Sequence, residues 1–192
     1  MQNGFVEPGA PLEVPMARSQ IPAIQQLLHC FRTQNLPVLF TAFCVAPDLH
    51  YPFYWNMAKQ RGLELEPPDC MFWPHKHETK ITLPLQPQKD ERVIMKSGYD
   101  SFANTELEQI LQARGIRTLV IAGTVVNWCV DSTVRSAYHR FYNSVIVADG
   151  VSGYDQAGRS AEDWCQMELD LFAEAFGRVM NVEEIIKELI VE

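Results

Sequence analysis

The stretch Thr118-Leu119-Val120-Ile121-Ala122 is apolar at every interior position. A strand with one wet face alternates apolar and polar residues, so a run without alternation belongs in a parallel sheet covered on both faces. Similar runs recur at Pro37-Val38-Leu39-Phe40-Thr41, Arg92-Val93-Ile94-Met95-Lys96, Ser144 to Ala148 and Arg178-Val179-Met180. Between them, apolar residues fall at helical spacing. Arg18 to Asn35 carries Ile21, Ile24, Leu27, Leu28 and Phe31, with Pro22 near its start, where proline is tolerated. Thr105 to Arg114 carries Leu107, Ile110 and Leu111 and stops at Gly115. Cys129 to Tyr142 carries Val130, Val134, Ala137, Tyr138 and Phe141, and Ala161 to Phe176 carries Trp164, Met167, Leu171 and Phe172. Asn181 and Glu184 form a capping box for a last helix. Strands alternating with helices predict a three-layer α/β/α sandwich on a parallel sheet, in one domain over residues 1–192.

The segment from about 45 to 90 breaks this rhythm. It is rich in proline (Pro47, Pro52, Pro67, Pro68, Pro74, Pro84, Pro87) and in aromatics. It reads as a long irregular excursion with a short helix around Tyr54 to Arg61, and loops of this length usually cover a pocket. Trp55 and Trp73 lie in it, placed to close that pocket or an oligomer contact.

Charge and cysteine usage narrow the class. Lys plus Arg is 16 and Asp plus Glu is 24, a net charge of −8. Such a chain repels phosphate backbones and anionic lipid, so neither nucleic acid nor a membrane is expected as a partner. The longest apolar-leaning run, Leu119 to Val126, is far shorter than the ~20 residues that span a bilayer. No basic and apolar leader opens the sequence. The five cysteines, Cys30, Cys44, Cys70, Cys129 and Cys165, are odd in number and form no C-x-x-C pair. That pattern predicts free thiols in a reducing cytoplasm, most of them acting as small buried hydrophobes.

In an open parallel sheet, ligands bind beyond the C-terminal ends of the strands. Lys96 ends one strand. Cys129 follows the next, after Gly123-Thr124-Val125-Val126-Asn127-Trp128, and is placed to open a helix. A thiol at a helix start, near a lysine, sits where positive charge favours the reactive thiolate and where free N–H groups can hold an oxyanion. No glycine-rich phosphate loop follows any strand, which weakens a flavodoxin-like cofactor binder as an alternative.

The segment from Gly123 through Asn127, Cys129, Val130, Thr133 and Arg135 to Ala137 resembles the cysteine motif of the isochorismatase-like cysteine hydrolases. Lys96, Phe102, Thr105 and Leu107 resemble the same family's lysine segment, and Met1-Gln2-Asn3-Gly4-Phe5 resembles the tail of its aspartate motif. The resemblance implies a six-stranded parallel sheet and an Asp–Lys–Cys triad. Carried over, Cys129 is the nucleophile toward an amide or ureido carbonyl and Lys96 its charged partner. The N–H groups of Val126 and Cys129 form the oxyanion hole, after a cis peptide in the Val125–Val126 region. Phe5, Phe102, Val125 and Trp128 flank the substrate pocket. It further implies no metal and no cofactor, because Thr41-Ala42-Phe43-Cys44 lacks the metal-binding pattern of the nicotinamidase branch. The presence of Cys129 argues against a true isochorismatase. The expected substrate is a small amide, ureido or carbamoyl compound, cleaved at its C–N bond through a thioester, and the expected assembly is a homo-oligomer, a dimer or tetramer.

The sequence departs from the family in three places. The aspartate that would precede Met1, and the strand it would end, are not in the sequence, so a start upstream of Met1 is expected. Val126 stands where the family often has threonine. The nicotinamidase metal pattern is missing. A non-catalytic binding or scaffolding protein is therefore the alternative reading. Among other residues, His75 and His77 read as solvated loop histidines, Asp149 as a turn or cap, and Asp131 with Arg135 as a helical ion pair.

Overall fold

The computed structural model describes residues 1–45 and 71–191. The expected helix at Tyr54 to Arg61, Trp55, Cys70 and the prolines from Pro47 to Pro68 lie outside the described residues. In chain order the elements are α1 (Asn3–Val6), α2 (Ala17–Thr33), β1 (Leu39–Phe43), β2 (Arg92–Lys96), α3 (Leu107–Ala113), β3 (Thr118–Thr124), a π-helical turn (Val126–Val130) running into α4 (Asp131–His139), β4 (Asn143–Ser152), α5 (Ala161–Ala175), β5 (Arg178–Met180) and α6 (Val182–Val191).

All three strand pairings are parallel. Among the described residues they form two sheets rather than one: β1–β2, and β3–β4–β5. The second sheet explains the apolar runs. Along β4, Val145 and Val147 pack with Leu27 of α2 and with Val182 and Ile185 of α6. Ile146, between them, faces the opposite way and packs with Val130 and Val134 and with Cys165 and Phe172 of α5. Successive side chains point to opposite faces, and both faces are covered, so no polar residue is tolerated between them. Helices flank the sheet on both sides, as the three-layer expectation requires.

Boundaries at β2 and β5 match the sequence reading, while other elements start or end elsewhere, β3 among them, which runs on to Thr124. The strand expected at 37–41 runs from Leu39 to Phe43, because Pro37 has no amide to donate and Gln2 draws Phe43 into bonds at the far end. The strand expected at 144–148 extends to Ser152. Its register against β3 jumps from Ile121↔Ile146 to Gly123↔Val151, and the bulged residues hide the continuing strand from a periodicity count. The helix expected to open at Cys129 begins at Val126, so Cys129 lies inside its first turn.

Some expected core residues are exposed. Tyr138, Phe141, Met167 and Leu171 face solvent, with Phe141 91% exposed. Phe141 has φ 62 and sits just past the end of α4, where the helical period no longer sets direction. Asp149 has the capping role: its Oδ1 accepts from the amide of Val182 at the start of α6. Asn181 and Glu184 exchange the two bonds of a capping box there. Arg135 Nε donates to Asp131 Oδ1 at 2.6 Å. Among the described residues, no helix is long and apolar enough to cross a membrane.

Candidate active site

The C-terminal ends of β1, β2 and β3 converge on the amino-terminal segment. Gln2 makes the junction. Its amide nitrogen donates to the carbonyls of Phe43 and Thr79, at 2.7 and 2.9 Å, and its amide oxygen accepts from the Phe43 amide at 2.7 Å. Three bonds from a side chain 2% exposed fix the first residues against the end of β1. The Asn3 amide donates to the Lys80 carbonyl, and the Thr82 amide donates to the Met1 carbonyl. Gly4 is required by close approach: a Cβ there would lie 2.4 Å from the ring of Phe72. Phe72 in turn stacks at 4.8 Å on Phe5.

A cavity of about 290 Å³ opens at this junction, lined among others by Met1, Phe5, Lys96, Ser101, Cys129 and Thr133. It is far larger than the ~10–15 Å³ that admits one water. Lys96 leaves the end of β2 and is 5% exposed. Its Nζ donates to the carbonyls of Gly98 and Tyr99, both at 2.8 Å. Those dipoles hold the ammonium in place, and no carboxylate forms an ion pair with it among the described residues. Cys129 reaches the same cavity from the π-helical turn after β3. The loop before that turn contains a cis peptide at Thr124–Val125, one bond earlier than the Val125–Val126 region expected. Gly123, with φ 128, makes the turn out of β3 in a backbone region that side chains disfavour. The amides of Val126 and Asn127 open the helical turn with no preceding turn to bond to.

Cys129 is half-buried, whereas Cys30, Cys44 and Cys165 are buried. Burial pushes the Cys165 thiol up to about 11. The Met1 α-amino group is buried beside the site, which pushes it down to about 6, and it feels the charges of both Cys129 and Lys96.

The structure thus brings together Cys129, Lys96 and Phe5. The other expected pocket residues, Phe102, Val125 and Trp128, are not among those that line this cavity. Phe102 packs with Ile94, Leu107 and Tyr142, and the Arg140 guanidinium lies over its ring at 4.9 Å. Val125 packs with Val6, Val14 and Ala17. Trp128 stands between Tyr99 and Tyr154, at 5.3 and 5.6 Å. Val126 is fully buried beneath the turn. Trp73 packs beside Phe43 and Phe72. His77 pairs with Glu7 at 2.8 Å on the surface, and no group of three metal-ligating side chains occurs among the described residues.

Two features escape a reading of single residues. One is Gln2, whose partners lie 41 and 77 positions away. The other is a hydroxyl chain behind the site. The Ser101 amide donates to Thr133 Oγ1, which donates to Ser101 Oγ, which reaches Thr41 Oγ1. Ser101 and Thr133 both fall within the motifs described above, yet only the fold shows that they meet.

Comparison with known proteins fits this geometry. The ureidoacrylate amidohydrolase RutB of Methylorubrum extorquens is 46% identical over 77 residues, which cover 40% of this chain and 30% of that protein. The RutB of Azorhizobium caulinodans is 29% identical over 164 residues, covering 78% of this chain and 71% of that one. The chain therefore spans less than a third of the first of these relatives. The crystal structure of a cysteine hydrolase from Pseudomonas syringae pv. phaseolicola 1448A superimposes with a TM-score of 0.89 at 26% identity, over all of this chain and 89% of that one. The model of the isochorismatase domain matches residues 1–184, nearly the whole sequence, and the chain belongs to the isochorismatase-domain family.

Proposed function

We propose that this protein is a cysteine-dependent hydrolase that cleaves the C–N bond of a small amide, ureido or carbamoyl compound. The observation that carries the reading is the convergence of Cys129 and Lys96 on one cavity, from the ends of strands in two different sheets. A buried ammonium facing a thiol is costly to build and has no packing purpose, whereas it suits a reaction that passes through negative charge.

In the proposed reaction the Cys129 sulfur attacks the carbonyl carbon. The oxygen takes up negative charge and is received by the amides of Val126 and Cys129. The C–N bond breaks, the thiol's proton leaves with the nitrogen, and a thioester remains. Water hydrolyses the thioester to a carboxylic or carbamic acid and restores the thiol. Lys96 contributes fixed positive charge near the developing oxyanion. The ureido class is favoured because two relatives bear the name ureidoacrylate amidohydrolase.

The test is ammonia release over a set of small amides and ureido compounds, with Cys129→Ala as control. The expected loss in kcat/KM is at least ~10³-fold, with an unchanged melting temperature. A substoichiometric thiol reagent at pH 8 should label Cys129 before the other four cysteines, Cys30, Cys44, Cys70 and Cys165. Turnover that survives Cys129→Ala, or first labelling at one of the buried thiols, overturns the reading.

A further inference from the structure

The backbone of Lys96 is fixed twice, by its place at the end of β2 and by the Cys44 amide, which donates to its carbonyl at 2.9 Å. Neither contact fixes its side chain. A lysine stem is flexible, and it loses that freedom only to the groups that receive the ammonium. Here those groups are the carbonyls of Gly98 and Tyr99. The loop after β2 therefore decides where the charge stands.

That loop is docked, through three consecutive residues, on the helix that carries Cys129. The Tyr99 ring lies 5.3 Å from that of Trp128. Asp100 Oδ2 accepts from Ser136 Oγ at 2.8 Å, and its Oδ1 accepts from the Phe102 amide at 2.8 Å. The Ser101 amide donates to Thr133 Oγ1 at 3.1 Å, and the same hydroxyl donates to Ser101 Oγ at 3.0 Å. Cys129, Thr133, Ser136 and Arg140 fall at i, i+4, i+7 and i+11, which is one stripe along a helix. Arg140 closes the stripe, donating from Nη1 to Ser136 Oγ and from Nε to Glu108 Oε2. Ser101 and Thr133 are both buried. An apolar pair would pack as well at such a place; what a fully bonded polar pair adds is a fixed geometry.

We propose that Thr133 and Asp100 are positioning residues, which seat the 98–101 loop on the Cys129 stripe and so hold the Lys96 ammonium in a set place relative to the sulfur. The inference rests on the reading of Cys129 and Lys96 as a working pair. The contacts close a path. It runs from Cys129 to Thr133 along one helical turn, and from Thr133 to Ser101 through two hydrogen bonds. It returns along the loop to the Tyr99 carbonyl, and from there to Lys96 Nζ. Asp100 and Ser136 make a second path farther along the same stripe. Ser101 Oγ also reaches Thr41 Oγ1 of β1, so the clasp is held from a third element. Thr133 borders the cavity, whereas Ser136 is not among the residues that line it. The two positions therefore separate action through the lysine from direct contact with a substrate.

The experiment follows carbamidomethylation of Cys129 by iodoacetamide at pH 7 in the full chain, read by peptide mass spectrometry. Labelling of the buried Cys30, Cys44 and Cys165 in the same samples reports a loosened fold. Positive charge beside a thiol favours the reactive thiolate, so Lys96→Met is expected to slow Cys129 by roughly tenfold or more. Thr133→Val is expected to slow it by roughly threefold or more, and Ser136→Ala by roughly twofold, with the buried thiols unchanged. Thr133→Ser keeps the hydroxyl and should restore the rate. Ser136 is only partly buried, so its variant carries the test if Thr133→Val fails to fold. The deciding measurement is a double-mutant cycle: in a Lys96→Met chain, Thr133→Val or Ser136→Ala should add no further slowing, because each acts through the lysine. If Lys96→Met leaves the Cys129 rate unchanged, the pairing of lysine and cysteine falls, and the proposal with it. If Lys96→Met slows Cys129 but Thr133→Val and Ser136→Ala do not, the pairing stands and the positioning role falls. The positioning role also falls if their slowing persists in the Lys96→Met chain, or comes only with faster labelling of the buried thiols.

Discussion

The two sheets are built from strands of the same kind and differ in how they are held. In β3–β4–β5 the central strand is clamped between α2 and α6 on one face and α4 and α5 on the other. In β1–β2 the buried residues are Ala42 and Phe43 of β1 and Ile94 and Lys96 of β2, while Val93 and Met95 are 37% and 46% exposed. Beside the apolar cluster of Ile94 with Leu107, Leu111 and Ala137, the β1–β2 side is tied to the rest by polar, long-range contacts. Gln2 grips the end of β1, Arg32 of α2 meets Glu91 at 2.7 Å, and Arg92 meets Glu106. One half is packed and the other is fastened. The apolar content of a strand does not decide which; the number of covering helices does.

The contrast is sharpest at Phe172, fully buried where α5 meets Ile146 and Val134. Phe172→Ala removes a ring from the packed half and is expected to cost ~3–5 kcal/mol, by lost burial and the cavity left behind. Denaturant unfolding should show the loss as a lower midpoint with an unchanged slope. Ile94→Ala, a buried truncation in the other half, should cost less. An equal or larger cost at Ile94 would break the comparison.

The fastened half fails at Gln2. Gln2→Ala leaves the Phe43 amide and the Phe43 and Thr79 carbonyls without the bonds they make now. An orphaned buried group costs ~1–3 kcal/mol, and a net loss of about 2–3 kcal/mol is expected. Exchange should accelerate at 39–43 before it changes at 143–152. A uniform acceleration across both sheets would mean that they open as one unit.

The same division governs what could be read from the sequence. The elements of the packed half are legible because their helices and strands pair a clear period with a covered face: β5 begins at Arg178, α5 at Ala161, and Asn181 with Glu184 caps α6. Cys129 and Lys96 were legible because strand ends and motif spacing locate them. Gln2 stands in a motif that by itself assigns it no role, because its bonds reach 41 and 77 residues along the chain. Phe141 continues a helical period past the end of α4 at His139, so periodicity places it inward while the backbone turns it out.

The smallest effect tests whether the packed half carries an internal cost. Glu168 lies half-buried on α5, and burial, followed by the nearby Asp131 carboxylate, pushes its carboxyl above the usual carboxylate range. Arg135 opposes the shift but is itself engaged with Asp131. The sign follows. Above the ordinary value of 4.5, the unfolded chain releases the Glu168 proton more readily than the folded chain, so this group's contribution to stability falls as pH rises through that window. Glu168→Gln keeps the shape and removes the ionisation. It is expected to raise the melting temperature at pH 7 by about 1–3 °C, a gain under ~1 kcal/mol. The difference should vanish near pH 4, where the native carboxyl is protonated in both states. A lower melting temperature for Glu168→Gln at pH 7 would mean that attraction to Arg135 outweighs burial, and that even the charges of the packed half stabilise it.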